Sequence, residues 1–151
     1  MQFDQLNRRE FITLLGGAAA AWPVAARAEQ SEQMRRIGVL MNTGADESES
    51  QARLSAFMQG LQELGWAAGR NLRIDYRWSP GDQARLRKDA AESIALRPEV
   101  ILAGVGATTL ALQQATRTIP IVMAQGIDPV GSGFVESLAR PGGNTTGFIQ
   151  F

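Results

Sequence analysis

Two glycines followed by two threonines form the segment of this sequence that is best suited to binding a small molecule. Gly104 and Gly106 let the backbone approach a ligand closely, because they carry no side chain. Ala107, Thr108 and Thr109 then begin a predicted helix, whose free N–H groups and dipole favour a carboxylate or a phosphate. A purely structural interpretation is also open, in which the glycines make a tight turn and Thr108 caps the helix.

Polar side chains also follow two other predicted strands. Asn42 and Thr43 come after the first strand, and Gln125 and Asp128 come after the fourth. In a sheet of parallel strands, ligands bind beyond the carboxyl ends of the strands, which predicts one site for these residues and 106–109. Asp128 could bind an amine or cap a helix predicted at 132–139. Ser132 is the better-placed cap for that helix, which favours a ligand role for Asp128.

The composition excludes several kinds of chemistry. The 151 residues include no cysteine and no histidine, which excludes disulfides, thiol nucleophiles, imidazole bases and the usual zinc or copper ligands. A dinucleotide fingerprint fails because Thr109 stands where its third glycine belongs, and no P-loop motif is present. No serine lies in a G-x-S-x-G frame. The sequence predicts a protein without catalytic residues, metal or cofactor, and its balanced charge gives no indication of nucleic-acid binding.

The elements that must position these loops alternate along the chain. Short apolar or alternating runs predict strands at 37–41, 71–78, 100–103, 119–124 and 144–149. Apolar residues at helical spacing predict helices at about 49–64, 82–96, 107–116 and 132–139. The first helix is predicted to bury Leu54, Phe57, Met58, Leu61 and Leu64. This order predicts an α/β fold, a three-layer α-β-α doubly wound parallel sheet, with 71–78 at one edge.

The first 28 residues are typical of an export signal. Arg8 and Arg9 precede an uncharged stretch at 11–26, and Ala26 and Ala28 form an A-x-A cleavage pattern. The stretch is shorter than the roughly 20 apolar residues that a membrane span needs. The arginine pair resembles a twin-arginine signal, and an ordinary Sec signal is the alternative. Residues 29–35 are predicted to be disordered. Without a cysteine for lipid attachment, the mature protein is expected to be soluble in the periplasm.

Three segments of the mature chain resemble ABC-transporter substrate-binding proteins, in the subfamily that includes aromatic-amino-acid binders. These segments are 36–40, "FMQGLQELGWAAGRNLRIDYRWSPGD" at 57–82, and the long run at 98–148 that ends in "DPVGSGFVESLARPGGNTTGF". The resemblance implies one lobe of a type I periplasmic binding protein, in which two α/β lobes close on a ligand. It implies an N-terminal lobe at 36–143, followed at 144–151 by the start of a hinge strand leading to a missing second lobe.

The resemblance also implies a function and its partners. The protein would bind a small solute, such as an amino acid or a similar small anion, and deliver it to an ABC transporter permease without catalysis. Residues 42–44, 106–109 and 125–128 would line the interlobe cleft. Two alternatives belong to other classes: a truncated exported lobe that binds nothing, and an exported enzyme of flavodoxin-like fold. The export machinery, twin-arginine or Sec, would be a further partner.

Overall fold

The computed structural model describes residues 34–149 of the chain. The predicted export signal, with Arg8, Arg9, Ala26 and Ala28, lies outside the described residues, and so do residues 29–33 of the segment predicted to be disordered. The first strand already begins at Arg35, which was predicted to lie in that disordered segment. This boundary was wrong because Arg35 continues the pairing of the strand, donating its backbone N–H to the carbonyl of Asn71 at 2.9 Å.

The described residues form five strands and three helices that alternate as far as the last strand. The strands are β1 (Arg35–Met41), β2 (Leu72–Trp78), β3 (Val100–Ala103), β4 (Ile121–Gly126) and β5 (Thr145–Ile149). The helices are α1 (Ser48–Glu63), α2 (Gln83–Ala95) and α3 (Gly106–Ala115). All strands pair in parallel, in the order β2-β1-β3-β4-β5, which confirms the predicted fold class and the edge position of β2. The winding reverses between β1 and β3.

Local sequence signals fix where the helices begin and end. Asp82 caps α2, since its Oδ1 accepts a hydrogen bond from the backbone N–H of Ala84 at 2.9 Å. Gly65 follows α1 with a φ of 87°, a left-handed conformation that favours glycine. The N–H of Trp66 then reaches back to the carbonyl of Leu61 at 2.9 Å, which closes the last turn. These signals account for the close agreement between the predicted and observed bounds.

The main core lies on the sheet face covered by α2 and α3. Side chains from both helices meet those of the three central strands there. The buried cluster consists of Leu40, Leu86, Ala90, Ile101, Ala103, Ala111, Leu112 and Ile121. Burial of this much apolar surface is the main stabilising contribution to the fold, and it holds the amino end of α3 against the sheet.

The opposite sheet face is covered only in part, by α1. Phe57 and Leu61 of α1 lie over this face, beside Ile37, Leu102 and Val122 of the strands, but each of these side chains stays partly exposed. Of the residues of α1, all within the described chain, Ser50 alone is fully buried. The prediction that Leu64 faces inward was wrong, because helix α1 ends at Glu63 and Leu64 is 77% exposed. This face of the lobe is therefore the less tightly packed one.

Residues 132–139, predicted as a helix, form a series of turns instead. Gly133 has a φ of 72°, which interrupts a right-handed helix. The backbone then reverses, since the N–H of Glu136 donates to the carbonyl of Pro141 at 2.9 Å. The predicted cap Ser132 accordingly caps no helix, and its N–H bonds to the carbonyl of Asp128 at 2.9 Å. The prediction failed because apolar residues at helical spacing also occur in a folded loop, and here they belong to one.

Strand β5 lies against β4 with an unusually close approach at Gly147. A Cβ at this position would lie 2.3 Å from the backbone oxygen of Met123, so only glycine fits there without a shift of the strand. Thr145 at the start of β5 is buried and accepts a hydrogen bond from Gln113 of α3 at 2.8 Å. Residues 145–149 thus complete the sheet of this lobe, and their role as a hinge strand stays a prediction.

An ion pair at the edge of the sheet gives a pH-dependent contribution to stability. Arg36 of β1 donates from Nε to Asp75 of β2 at 2.5 Å, and Arg73 lies 3.5 Å from the same carboxylate. The hydrogen bond from Arg36, with the charge of the two arginines, lowers the pKa of Asp75. The carboxylate therefore stabilises the fold above its unfolded pKa, roughly 3.9, and this contribution is lost as the pH falls through the lower folded value.

We expect Asp75→Asn to reduce the free energy of unfolding by about 1 kcal/mol at neutral pH. The effect is measurable because the side chains of Arg36 and Asp75 are only partly exposed, so water screens their ion pair incompletely. The difference from the wild type should shrink as the pH falls below about 4. Urea unfolding monitored by circular dichroism at several pH values measures both effects. Asp46→Asn, which changes an exposed loop carboxylate, is the matched control. A difference that is constant from neutral to acid pH would contradict this account.

Candidate functional site

Three loops meet at the carboxyl edge of the sheet, around the point where the winding reverses. They follow β1, β3 and β4. Of the residues predicted as ligand contacts, Asn42, Thr43 and Asp128 lie in these loops, whereas 106–109 form the first turn of α3 and Gln125 belongs to β4. The backbone N–H of Gly104, at the end of β3, donates to the carbonyl of Leu40 in β1 at 3.0 Å, so the first two loops start side by side. Parallel α/β sheets hold their ligands in the crevice at this position.

The loop after β1 is supported by the first turn of α1. Asn42 and Thr43 are half-buried at the end of the strand. The hydroxyl of Ser50 donates to Oγ1 of Thr43 at 2.8 Å, and Ser50 itself is only 4% exposed. Glu47 accepts from the backbone N–H of Gly44 at 2.6 Å. The side chain of Thr43 is thus held in place by Ser50 of α1, a residue that was not predicted to belong to the site.

The amino end of α3 forms the second part of the site. Thr108 and Thr109 are completely buried, and both hydroxyls donate to the carbonyl of Val105, at 2.6 and 3.1 Å. Thr108, the third residue of α3, also accepts from the backbone N–H of the N-cap residue Val105 at 3.0 Å, so it fixes the start of the helix without capping the N–H groups of the first turn. Ala107 packs its methyl group against the core. These residues therefore present backbone rather than hydroxyls at the edge, and an anion there would meet the N–H groups of the first helical turn.

The loop after β4 folds back over the start of α3. A Cβ on Gly106 would lie 3.2 Å from the ring of Phe134, so this ring covers the glycine directly. Gln113 of α3 fixes the loop by donating to the carbonyl of Phe134 at 2.8 Å. Phe134 was not predicted as a site residue, because it lay within the predicted helix at 132–139. Its ring limits the size of any group that approaches Gly106.

Asp128 serves the conformation of the same loop. Its φ is 45°, and its Oδ1 accepts from the backbone N–H of Gly131 at 2.9 Å. The carboxylate is exposed, so it keeps further acceptor capacity towards solvent. The structure thus gives Asp128 a turn-forming role, and its role in ligand binding stays a prediction.

Gln125, at the end of β4, is bridged to α1 by an arginine that sequence analysis did not select. The guanidinium of Arg53 donates from Nη1 to Oε1 of Gln125 and from Nη2 to the carboxylate of Glu49. Arg53 and Glu49 occupy successive turns of α1, so their side chains lie on one face of the helix. This spacing was visible in the sequence, but the contact between Arg53 and Gln125 joins residues 72 apart. The arginine brings a positive charge to the site.

Over 34–149, the acidic side chains form no group of three or more suited to a metal ion. No helix in that part of the chain is long and apolar enough to cross a membrane.

The chain matches one protein family and several individual relatives. A family model described as ABC transporter substrate binding protein matches residues 37–150. The "Tyrosine-binding protein" of Clostridioides difficile (strain R20291) is 33% identical over 95 residues, which is 63% of this chain and 28% of that protein.

Two solved structures resemble the lobe closely. One, from Streptococcus pneumonia, is described as an ABC domain in complex with L-Trp; its TM-score is 0.72 at 27% identity. The other is the ligand-free, open structure of a substrate binding protein with adhesive properties from Clostridium difficile, with a TM-score of 0.72 at 26% identity. Both comparisons cover 78% of this chain and 39% of the solved one. The chain thus spans well under half the length of these relatives.

Proposed function

Because the chain belongs to the family of ABC transporter substrate-binding proteins, we propose that it forms the first solute-binding lobe of an ABC importer's extracytoplasmic receptor. One observation carries the proposal: the loops after β1, β3 and β4 converge at the carboxyl edge where the winding reverses. In this role the lobe supplies one wall of a cleft, and a second lobe supplies the other.

The proposed solute is an amino acid or a similar small anion. The amino end of α3 offers backbone N–H groups and a positive dipole to its carboxylate. Two relatives support this class, since one is named for binding tyrosine and another was solved with L-Trp. The ring of Phe134 over Gly106 offers an apolar surface for the rest of the solute. No catalytic step is part of this proposal.

The proposal extends to location and partners. Arg8 and Arg9, with the A-x-A pattern at 26–28, support export through the twin-arginine or Sec machinery. The receptor would then act in the periplasm, free of a lipid anchor, and pass its solute to an ABC transporter permease. Export would be tested by cell fractionation, with Arg8→Lys and Arg9→Lys together as the variant that blocks only the twin-arginine route.

Binding is tested directly by titrating the purified, ¹⁵N-labelled chain with L-tryptophan and L-tyrosine. We expect the amide signals of Gly106, Ala107 and Gln125 to shift, with a Kd of about 1 mM, since one lobe provides half of a cleft. Gly106→Val, which places a branched side chain against Phe134, should weaken binding about tenfold or more. Gly143→Val is the matched control, because open space surrounds that glycine. Absence of shifts in all three loops would overturn the proposed function.

A further inference from the structure

A cavity opens at the amino edge of the sheet, at the opposite end of the strands from the candidate functional site. Its volume is about 420 Å³, which falls in the range of roughly 300–1,000 Å³ typical of small-molecule sites. Arg35, Leu72 and Val100, the first residues of β1, β2 and β3, belong to its lining. The rest of the wall is mainly apolar and partly aromatic: Ile37, Phe57, Leu61, Trp66, Leu102 and Val122.

The wall of this cavity holds apolar surface that the fold leaves partly uncovered. Phe57, Leu61 and Trp66 all lie in or directly after α1, and each of them stays partly exposed. A molecule that fills the cavity would remove this surface from water, which is the main driving force for binding at an apolar site. The two aromatic rings suit a flat apolar body.

An ion pair supplies the polar part of the same wall. Arg35 donates from Nη1 to Oε2 of Glu99, and both residues line the cavity. Their side chains are 35% and 48% exposed, so the pair contributes little to stability and can rearrange easily. Nε of Arg35 is shielded from solvent and has no acceptor among residues 34–149. A donor in this state is unfavourable, so a turn of the guanidinium towards an oxygen atom in the cavity would improve its hydrogen bonding.

We propose that this cavity binds a neutral apolar alcohol, whose hydroxyl accepts a hydrogen bond from Arg35 and donates one to Glu99. A hydroxyl is both donor and acceptor, which matches a pair that offers one donor group and one acceptor group. The pair has no net charge, so a charged molecule would meet the like charge of one partner and bring an unpaired charge into apolar surroundings. The inference goes beyond the proposed function, because neither residue belongs to the candidate functional site.

The test compares probes of one shape on the ¹⁵N-labelled chain by NMR. The probes are 2-naphthalenemethanol, which is the neutral alcohol, 2-naphthoate, which is an anion, and 2-naphthylmethylammonium, which is a cation. We expect the alcohol to shift the indole N–H signal of Trp66 and the amides of Leu61 and Val100, with a Kd of about 0.1 mM. Each charged probe should bind about tenfold more weakly, because its charge must leave water.

A change of charge at the ion pair tests how the hydroxyl is recognised. Glu99→Gln leaves the positive charge of Arg35 without its carboxylate, so 2-naphthoate should bind this variant about tenfold more tightly than it binds the wild type. Glu92→Gln is the matched control and should leave the binding of 2-naphthoate unchanged. Glu92 also pairs with an arginine, Arg77 at 2.8 Å, but it belongs to α2, which covers the other sheet face.

Two results would overturn this inference. One is the absence of shifts at Trp66, Leu61 and Val100 up to about 1 mM of the alcohol, ten times the expected Kd, since the side chains of the wall would then close the space themselves. The other is equal affinity of 2-naphthoate for Glu99→Gln and the wild type. Neither result bears on the proposed function, which is tested with amino acids at the opposite edge of the sheet.

Discussion

The substitution Leu112→Ala is expected to lower the free energy of unfolding by about 3 kcal/mol, a large part of the total for one small domain. Leu112 of α3 is 0% exposed and belongs to the cluster formed with Leu86, Ile101 and Ile121. Alanine would leave a void between two helices and the sheet, which close packing does not refill. Urea unfolding followed by circular dichroism measures the change.

A second leucine on the same helix provides the matched control. Leu110 is 49% exposed, two residues before Leu112, and the same substitution there removes the same atoms. We expect Leu110→Ala to change the free energy of unfolding by less than about 1 kcal/mol, as is usual for surface sites. Equal losses for the two variants would show that α3 is not anchored through Leu112. In that case the amino end of α3 would have no firm position in the site.

The second large effect concerns affinity. A chimera that continues this lobe with the remaining part of the Clostridioides difficile relative is expected to bind L-tyrosine about a thousandfold more tightly than the lobe alone. The matched segment is 28% of that relative, so most of its length would come from the relative itself. A cleft with two walls buries most of a small ligand and excludes water, which strengthens each polar contact.

Isothermal titration of both proteins with L-tyrosine measures this difference. We expect a Kd of about 1 µM for the chimera and about 1 mM for the lobe, which correspond to about −8 and −4 kcal/mol. Gly106→Val in the chimera is the control, since it alters only the wall supplied by this lobe. Equal affinity of the chimera and its Gly106→Val variant would mean that the loops of this lobe do not contact the solute.

The sheet and the helices that flank it could be predicted from the sequence because their signals are local. An alternating run such as 72–78 identifies an edge strand, and Asp82 or Gly65 identifies a helix boundary, without knowledge of the rest of the fold. The position of the candidate site followed from the fold class alone, since the loops at the carboxyl edge are set by topology. The carboxyl-edge loops were selected as a group on this ground, and their contact with a ligand stays a prediction.

Individual roles within the site depended on contacts that the sequence does not encode locally. The sequence left open whether Thr108 and Thr109 bind a ligand or only shape the start of the helix. In the structure both hydroxyls donate to the carbonyl of Val105. Phe134 reaches Gly106 only because residues 132–139 form turns, and Arg53 reaches Gln125 across the sheet edge. Long-range packing decides such contacts, and hydrophobic spacing gives no information on them.

The weak packing of α1 has a consequence for the time course of backbone opening. This helix buries Ser50 fully, whereas α2 and α3 each bury several residues in the main core. Amides in α1 should therefore exchange with deuterium through a local opening that leaves the rest of the sheet protected. Because Ser50 holds Thr43 and Arg53 holds Gln125, each opening also releases the side chains of two residues predicted to contact the solute. A bound solute should slow exchange in α1 more than in α2.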